Sequence, residues 1–420
     1  MGEWRRVASL NYSLMCAVKA GNGEKVSRLL ADGADVNSRD NSHDRTPLHE
    51  AATKGFADIV ELLLAAGARA GVLACGRDDA LHCALNGGHA ALAHRIWRHT
   101  RDARFTPAHL AALGYSDLRA EVAITAEEAN AVDRCGYTPL HVAAAVGNMK
   151  ILKRLVRAGA KLETEDKRDR TPLDIACSIG HVACVRALLK LGANKEAANR
   201  FGWTPLDFAC QHDRVACARA LLEAGVSTGS SRWWEGRTPL HIACRSGSEA
   251  CTRVLLGAGA NMEAEDGNGN TPLQDACQGG HAPCMRALLE AGANKKVIWR
   301  WSGDTLLHAA SNDGHEACVR VLLGAGAKVD ALNRTGATPL LLASQNDHKT
   351  CVRALLHAGA NPDTTRKDGA TPLHMACRGG CEECVRMLLD AGASIEGMDK
   401  DGWTPLFTTC MNGHNNCTGA

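Results

Sequence analysis

The stretch TPLDIACSIGHVACVRALLKLGANKEAANRFGW, Thr171 to Trp203, holds one complete structural unit. The hydroxyl of Thr171 can accept from an otherwise unpaired backbone N–H and so start a helix. Pro172 suits the first helical position, where no N–H partner is needed. Leu173, Ala176 and Cys177 are spaced as the apolar face of a short helix, which Gly180 ends. Val182, Cys184, Val185, Leu188 and Leu189 mark a second helix. Gly192 follows it, where a helix C-terminus wants positive φ. Asn194 to Trp203 is polar and reads as an extended, hairpin-like finger loop. Helices of about ten residues are marginal alone in water. Such a unit must therefore bury its apolar faces on neighbours like itself.

The neighbours are present. Thr-Pro-Leu begins at Thr46, Thr138, Thr171, Thr204, Thr238, Thr271, Thr338, Thr371 and Thr404, and weaker copies begin at Ser13, Asp79, Thr106 and Thr305. Most successive starts lie 33 residues apart. A fixed period of this size predicts a solenoid of stacked supersecondary units, here an all-α one. The unit strongly resembles the ankyrin repeat. The resemblance rests on TPLHEAATKG (Thr46–Gly55), TPLHVAAAVGN (Thr138–Asn148), TPLHIACRSG (Thr238–Gly247) and TPLHMACRGG (Thr371–Gly380), and on LLxAGA at Leu63, Leu255, Leu288, Leu355 and Leu388. It implies stacked helix pairs with hairpin-like fingers, about thirteen in all, from Ser13 to the end.

Composition narrows the function. The chain has 420 residues with 48 basic and 46 acidic side chains. That balance argues against a dedicated nucleic-acid or anionic-membrane binder. No apolar run is long enough to span a membrane, and the opening MGEWRRVASLNYS lacks a signal-peptide core. The expectation is a reduced, monomeric intracellular protein, cytoplasmic or nuclear.

Nineteen cysteines suggest metal or redox chemistry until their phase is read. Cys177, Cys210, Cys244, Cys277, Cys377 and Cys410 share one slot of the unit. Cys184, Cys217, Cys251, Cys284, Cys318, Cys351, Cys384 and Cys417 share another. Other units place Ala52, Ala144, Ile59 or Ile151 there, so cysteine stands in for small or medium apolar residues. The recurring His-x2-Cys (His181/Cys184, His281/Cys284, His315/Cys318, His414/Cys417) offers too few ligands per unit, and equivalent residues of adjacent units lie about 8–10 Å apart. The exception is Cys377, Cys381, Cys384 and Cys410. There Cys381-x2-Cys384 opens a helix whose dipole can lower a thiol pKa. A thiol-based redox or metal-responsive protein centred on these four is the alternative reading.

No P-loop, dinucleotide fingerprint or HExxH motif is present. The histidine at the fourth position of the unit (His49, His82, His109, His141, His241, His308, His374) is periodic. In ankyrin-like units it makes hydrogen bonds between repeats. Asp174 and Asp207 replace it in two units, which marks a polar structural slot. Neither catalysis nor a cofactor is expected.

The period breaks once. Asp79 and Thr106 lie only 27 residues apart, and the stretch after them lacks LLxAGA. The expected organisation is a leader at 1–12, repeats at 13–94, degenerate repeats and possible hinge at 95–137, regular repeats at 138–403, and an incomplete terminal repeat at 404–420. The 95–137 segment reads as a decayed repeat, and its stretch 95–134 is expected to open first.

Six of eight tryptophans fall in finger segments: Trp203, Trp233, Trp234, Trp299, Trp301 and Trp403. Arginines interleave with them. Trp and Arg are the residues most enriched at binding hot spots. In the ankyrin family the fingers and the ends of the first helices form the recognition surface. The expected partner-binding residues are Arg200, Phe201, Trp203, Trp233, Trp234, Arg237, Arg245, Trp299, Arg300, Trp301 and Arg334. The function expected is that of a scaffold or adaptor binding another protein.

Overall fold

The computed structural model describes residues 2–75, 77–100, 104–115, 124–229 and 236–412, with side chains from residue 5 onward. Among them are 25 helices and no strand, only the isolated bridges Ala74–Asp78 and Ile298–Thr305. The chain divides into two compact units, 1–226 and 227–420.

In the first unit the helix Pro172–Ile179 pairs with Val182–Lys190, as the quoted stretch predicts. Thr171 caps the first of these by accepting from the Asp174 N–H. Gly180 ends it at φ 103° and Gly192 follows the second at φ 94°, both in the left-handed region that a side chain would strain. The inner helices Pro139–Val146, Pro172–Ile179 and Pro205–Gln211 lie side by side. Leu140, Leu173 and Leu206 seal the contact, while Leu155, Leu188 and Leu221 do so beneath the outer helices. Each buried leucine contributes about 1.5–3 kcal/mol, so cohesion comes from repetition rather than from any single helix.

The expected leader, 1–12, is continuous with the first unit's inner helix, and the two form one element, Gly2–Lys19.

The second unit repeats the scheme. Its inner helices are Pro239–Arg245, Pro272–Gln278, Leu306–Asn312, Pro339–Gln345, Pro372–Gly379 and Pro405–Met411. Leu240, Leu273, Leu307, Leu340 and Leu373 hold the same buried position along it. The cysteine ladder behaves as its phase predicts: every described cysteine from Cys83 to Cys384 is buried, and none of them forms a disulfide. Burial pushes the thiols of Cys184 and Cys351 up to about 11 and that of Cys318 up to about 12.

Candidate functional site

The polar slot explains how the fingers are held. In six units the Thr backbone N–H donates to Nδ1 of the fourth-position histidine at 3.1–3.2 Å. Nδ1 is thus an acceptor, so the ring proton sits on Nε2. Nε2–H then donates to a finger carbonyl: His49 to Val72, His109 to Tyr137, His141 to Arg170, His241 to Asn270, His308 to Ala337 and His374 to Trp403, at 2.9–3.1 Å. Burial holds His49, His241 and His308 below the ordinary value and His141 down to about 4, so these rings are neutral. Asp174 and Asp207 accept from their own Thr but are too short to span to a finger. Each leaves Oδ1 buried without a hydrogen bond, and burial raises both carboxyls to about 7.

A second histidine row ties five of the outer helices to the inner helix of the preceding repeat. His89, His181, His281, His315 and His348 place Nε2 at 2.8–3.2 Å from the carbonyls of Thr53, Ala145, Arg245, Gln278 and Asn312. At His181/Cys184, His281/Cys284 and His315/Cys318 the His-x2-Cys spacing is therefore a helix-end bond followed by a core thiol, while His414/Cys417 lies outside the described residues.

The break in the period holds a constellation the sequence reading did not find. Asp79 stands where other units have Thr, and Asp79 Oδ1 lies 2.8 Å from His82 Nδ1. His82 Nε2 lies 2.7 Å from Asp133 Oδ2, 51 residues on. Arg134 takes the other Asp79 oxygen at 2.5 Å, and Tyr137 meets the His82 ring edge-on at 4.6 Å. All three residues of the core triad are buried. Although burial opposes the charge, the two carboxylates hold His82 protonated well above its ordinary value. The missing finger is thereby replaced: the loop before Pro139–Val146 serves His82 through Asp133 and His109 through the Tyr137 carbonyl. The seal extends outward, with Tyr137 Oη donating to Asn86 at 2.6 Å and Arg170 joining Asn86, Tyr137 and Asp166 at 2.7–3.0 Å. Arg168 pairs with the buried Asp78.

Asp79, His82 and Cys135 also bring three ligand-type atoms within 4.8 Å of one another. Both His82 nitrogens and both Asp79 oxygens are already engaged, and two carboxylates balance one imidazolium and one guanidinium. The group reads as a closed charge network rather than an open ligand set.

Beside this network, within the first unit, lies a concavity of about 760 Å³. Arg45, Arg77, Arg168 and Arg170 line it with His43 and His212, and Phe201, Trp203 and Phe208 form its apolar wall. No Asp or Glu is among its lining residues. Thus two of the expected binding residues, Phe201 and Trp203, meet in one cleft. Arg200 stacks over Phe201 at 4.8 Å and pairs with Asp169 at 2.7 Å. Trp203 packs against Phe208 at 5.3 Å.

The remaining expected residues belong to the second unit or lie outside the described residues, as Trp233 and Trp234 do. Arg237 is mostly buried against Asp266, whereas Arg245 reaches Asp275 at 3.8 Å from an exposed position. Arg300 is exposed and paired with Glu265 at 2.8 Å. Trp299 is half-buried, whereas Trp301 is 91% exposed. Arg334 Nη1 donates to the Trp301 carbonyl at 3.3 Å.

The alternative cysteine site fares differently. Cys377, Cys381 and Cys384 are buried, while Cys410 is exposed. Cys384 does lie in the first turn of its helix, but burial and the nearby Asp347 push its thiol up to about 12, opposite to the lowering expected there. Desolvation outweighs the helix dipole, and the geometry lends no support to a reactive thiol at Cys384.

A family model for ankyrin repeats (three copies) matches residues 9–74, 120–199, 140–232, 227–298, 296–366 and 359–418. Similar curated proteins include mouse 2-5A-dependent ribonuclease, 43% identical over 67 residues, 16% of this chain and 9% of that protein. Another is the Drosophila melanogaster transient receptor potential cation channel subfamily A member 1, 31% identical over 154 residues, 35% of this chain and 11% of the channel. Human neurogenic locus notch homolog protein 2 is 28% identical over 158 residues, 37% of this chain and 5% of that protein. The chain thus matches only a small part of each. The solved structures it resembles include the human ASB11 ankyrin repeat domain, at 31% identity and TM-score 0.46, covering 49% of this chain and 91% of that one.

Proposed function

Because the chain belongs to the ankyrin repeat family, a class of protein-interaction modules, we propose that it is a non-enzymatic scaffold or adaptor that grips a partner protein with its fingers and inner-helix ends. The observation that carries this reading is Trp301, a large aromatic side chain left 91% exposed on a finger. That finger is held by its own bonds and by the next finger. Ile298 bridges to Thr305, Trp299 N–H donates to the Asp304 carbonyl at 2.9 Å, and the Arg334 N–H donates to the Ser302 carbonyl at 3.0 Å. Asn333 Nδ2 adds a bond to Asp304 at 2.7 Å. An anchor already fixed in place loses little freedom on binding. Among the described residues no helix is long and apolar enough to cross a membrane.

The test compares partner capture by the full chain and by Trp301→Ala, using proximity labelling in cells. A hot-spot role predicts a loss of about 2 kcal/mol or more in binding the captured partner, with an unchanged melting curve. A variant that melts earlier but binds as before would show the tryptophan to be structural and the surface to lie elsewhere.

A further inference from the structure

We propose that the arginine-lined concavity of the first unit receives an acidic, extended peptide segment of the partner protein; this rests on the interaction reading above and adds the partner's chemistry.

The argument begins with where the charges sit. Arg45, Arg168 and Arg170 each have an acidic companion, Glu50, Asp78 and Asp166 respectively. Those three acids are buried behind them, and none lines the cleft. The companions fix the guanidinium groups rather than covering them. Arg170 is held by Asp166, Asn86 and Tyr137 at once, and Arg45 is anchored to the His49 carbonyl at 3.1 Å and to Thr53. Arg77 is exposed, and its side chain forms no ion pair or hydrogen bond among the described residues. The mouth therefore presents an ordered cationic surface with one uncompensated charge, and field lines from a concave wall reinforce it.

The shape selects among anions. The volume lies within the roughly 300–1,000 Å³ typical of ligand clefts, which suits a short chain segment better than a folded surface. A single phosphate needs donors converging on one point. Here the arginines come from separate loops, around residues 45, 77 and 168–170, and Arg45, Arg168 and Arg170 each offer only the edge their buried acid leaves free. Carboxylates spaced along a strand can meet them one by one, as guanidinium forks prefer. Phe201 and Trp203 supply an apolar wall, where an aliphatic side chain of the same segment can pack.

The experiment measures fluorescence anisotropy of the full chain with a rhodamine-labelled octapeptide of six glutamates around two leucines. Its glutamine counterpart is the control. The acidic peptide is expected to bind at least tenfold tighter than the control and to weaken steeply with salt. Arg77→Glu is expected to weaken it at least tenfold without moving the melting curve, since that side chain has no structural partner. Phe201→Ala is expected to weaken both peptides. Equal binding of the two peptides, or an unaffected Arg77→Glu variant, overturns the proposal. So does displacement of the acidic peptide by ATP or inorganic phosphate at concentrations below its own dissociation constant, which would identify a small-anion site. If a partner is lost on Trp301→Ala yet kept by Arg77→Glu, the interaction reading stands and the acidic-segment proposal fails.

Discussion

One substitution changes the charge of a ring. Where Thr caps the inner helix, a backbone N–H donates to Nδ1 and the histidine stays neutral, as at His141. Asp79 in place of Thr gives His82 a carboxylate on each nitrogen and makes it a cation. Long-range nitrogen–proton NMR at pH 7.5 should show His82 protonated on both nitrogens and His141 on Nε2 alone; a neutral His82 would contradict the network. The same slot offers a gain of stability. Asp174 and Asp207 have raised carboxyl pKa values, so what stability they contribute is present below about pH 3.8 and is lost as pH rises through about 7. Asp174→His should restore the ring-to-finger bond, toward the Trp203 carbonyl, and add about 1 kcal/mol. The gain should be larger at pH 8 than at pH 4 in paired thermal melts. No gain at pH 8 would mean that the slot cannot seat the ring.

At the scale of the element, the joint between Ala80–Asn86 and Pro139–Val146 is where sequence reading fell short. The regular units were legible, because Thr-Pro-Leu, the terminal glycines and the cysteine phase are local signals that survive in each copy. The joint links His82 to Asp133 across a stretch without periodicity, and no local pattern encodes a bond of that span. Its one visible trace was Asp79 at a Thr position, next to a period six residues short. Of the expected binding residues, Phe201 and Trp203 were found together because both follow the finger's own pattern. Arg168 and Arg170 sit on the adjacent finger, but Arg45 and Arg77 come from loops far away in the chain, so the convergence of all four was not readable. The network's pH dependence follows from its shifts. The raised His82 pKa gives stability that is full below about pH 6.5 and lost as pH rises through its folded value. Asp79 and Asp133 are lowered, so their stability is present above about pH 3.8 and lost as pH falls. The melting difference between the native chain and His82→Gln should therefore peak between about pH 4.5 and 6.5. Asp133→Asn should cost on the order of 3 kcal/mol, because it strips a buried cation of a partner. We expect residues 95–134 to be the first site of limited proteolysis, and cleavage there to come earlier still in that variant. Unchanged cleavage in Asp133→Asn would show that the network does not hold this region.

For the molecule as a whole, stability accumulates layer by layer, and the thiols report it. Among the described cysteines only Cys16, Cys75 and Cys410 are exposed. A thiol reagent added to the native protein should modify these at once, while the ladder reacts only as its layers open. Fast labelling of Cys184 or Cys318 in the folded state would mean that the core is not closed. Conversely, Cys184→Ile copies a residue other units already carry and should cost less than about 1.5 kcal/mol.

The shared finger also bears on how such a chain can be rearranged. Regular repeats carry the same bonds to the next copy, so duplicating or excising a block of one period leaves each junction with the partners it had. The junction at His82 is different, because its counterpart is a specific carboxylate 51 residues away rather than the carbonyl any finger supplies. Recombination that shifted this junction by one period would leave a buried imidazolium facing the wrong loop. The repeats ahead of it are thus keyed to those behind, while copies farther along remain interchangeable. Length variants of this protein are therefore expected to gain or lose repeats after Thr171 and to keep the segment from Asp78 to Arg170 as a single inherited piece.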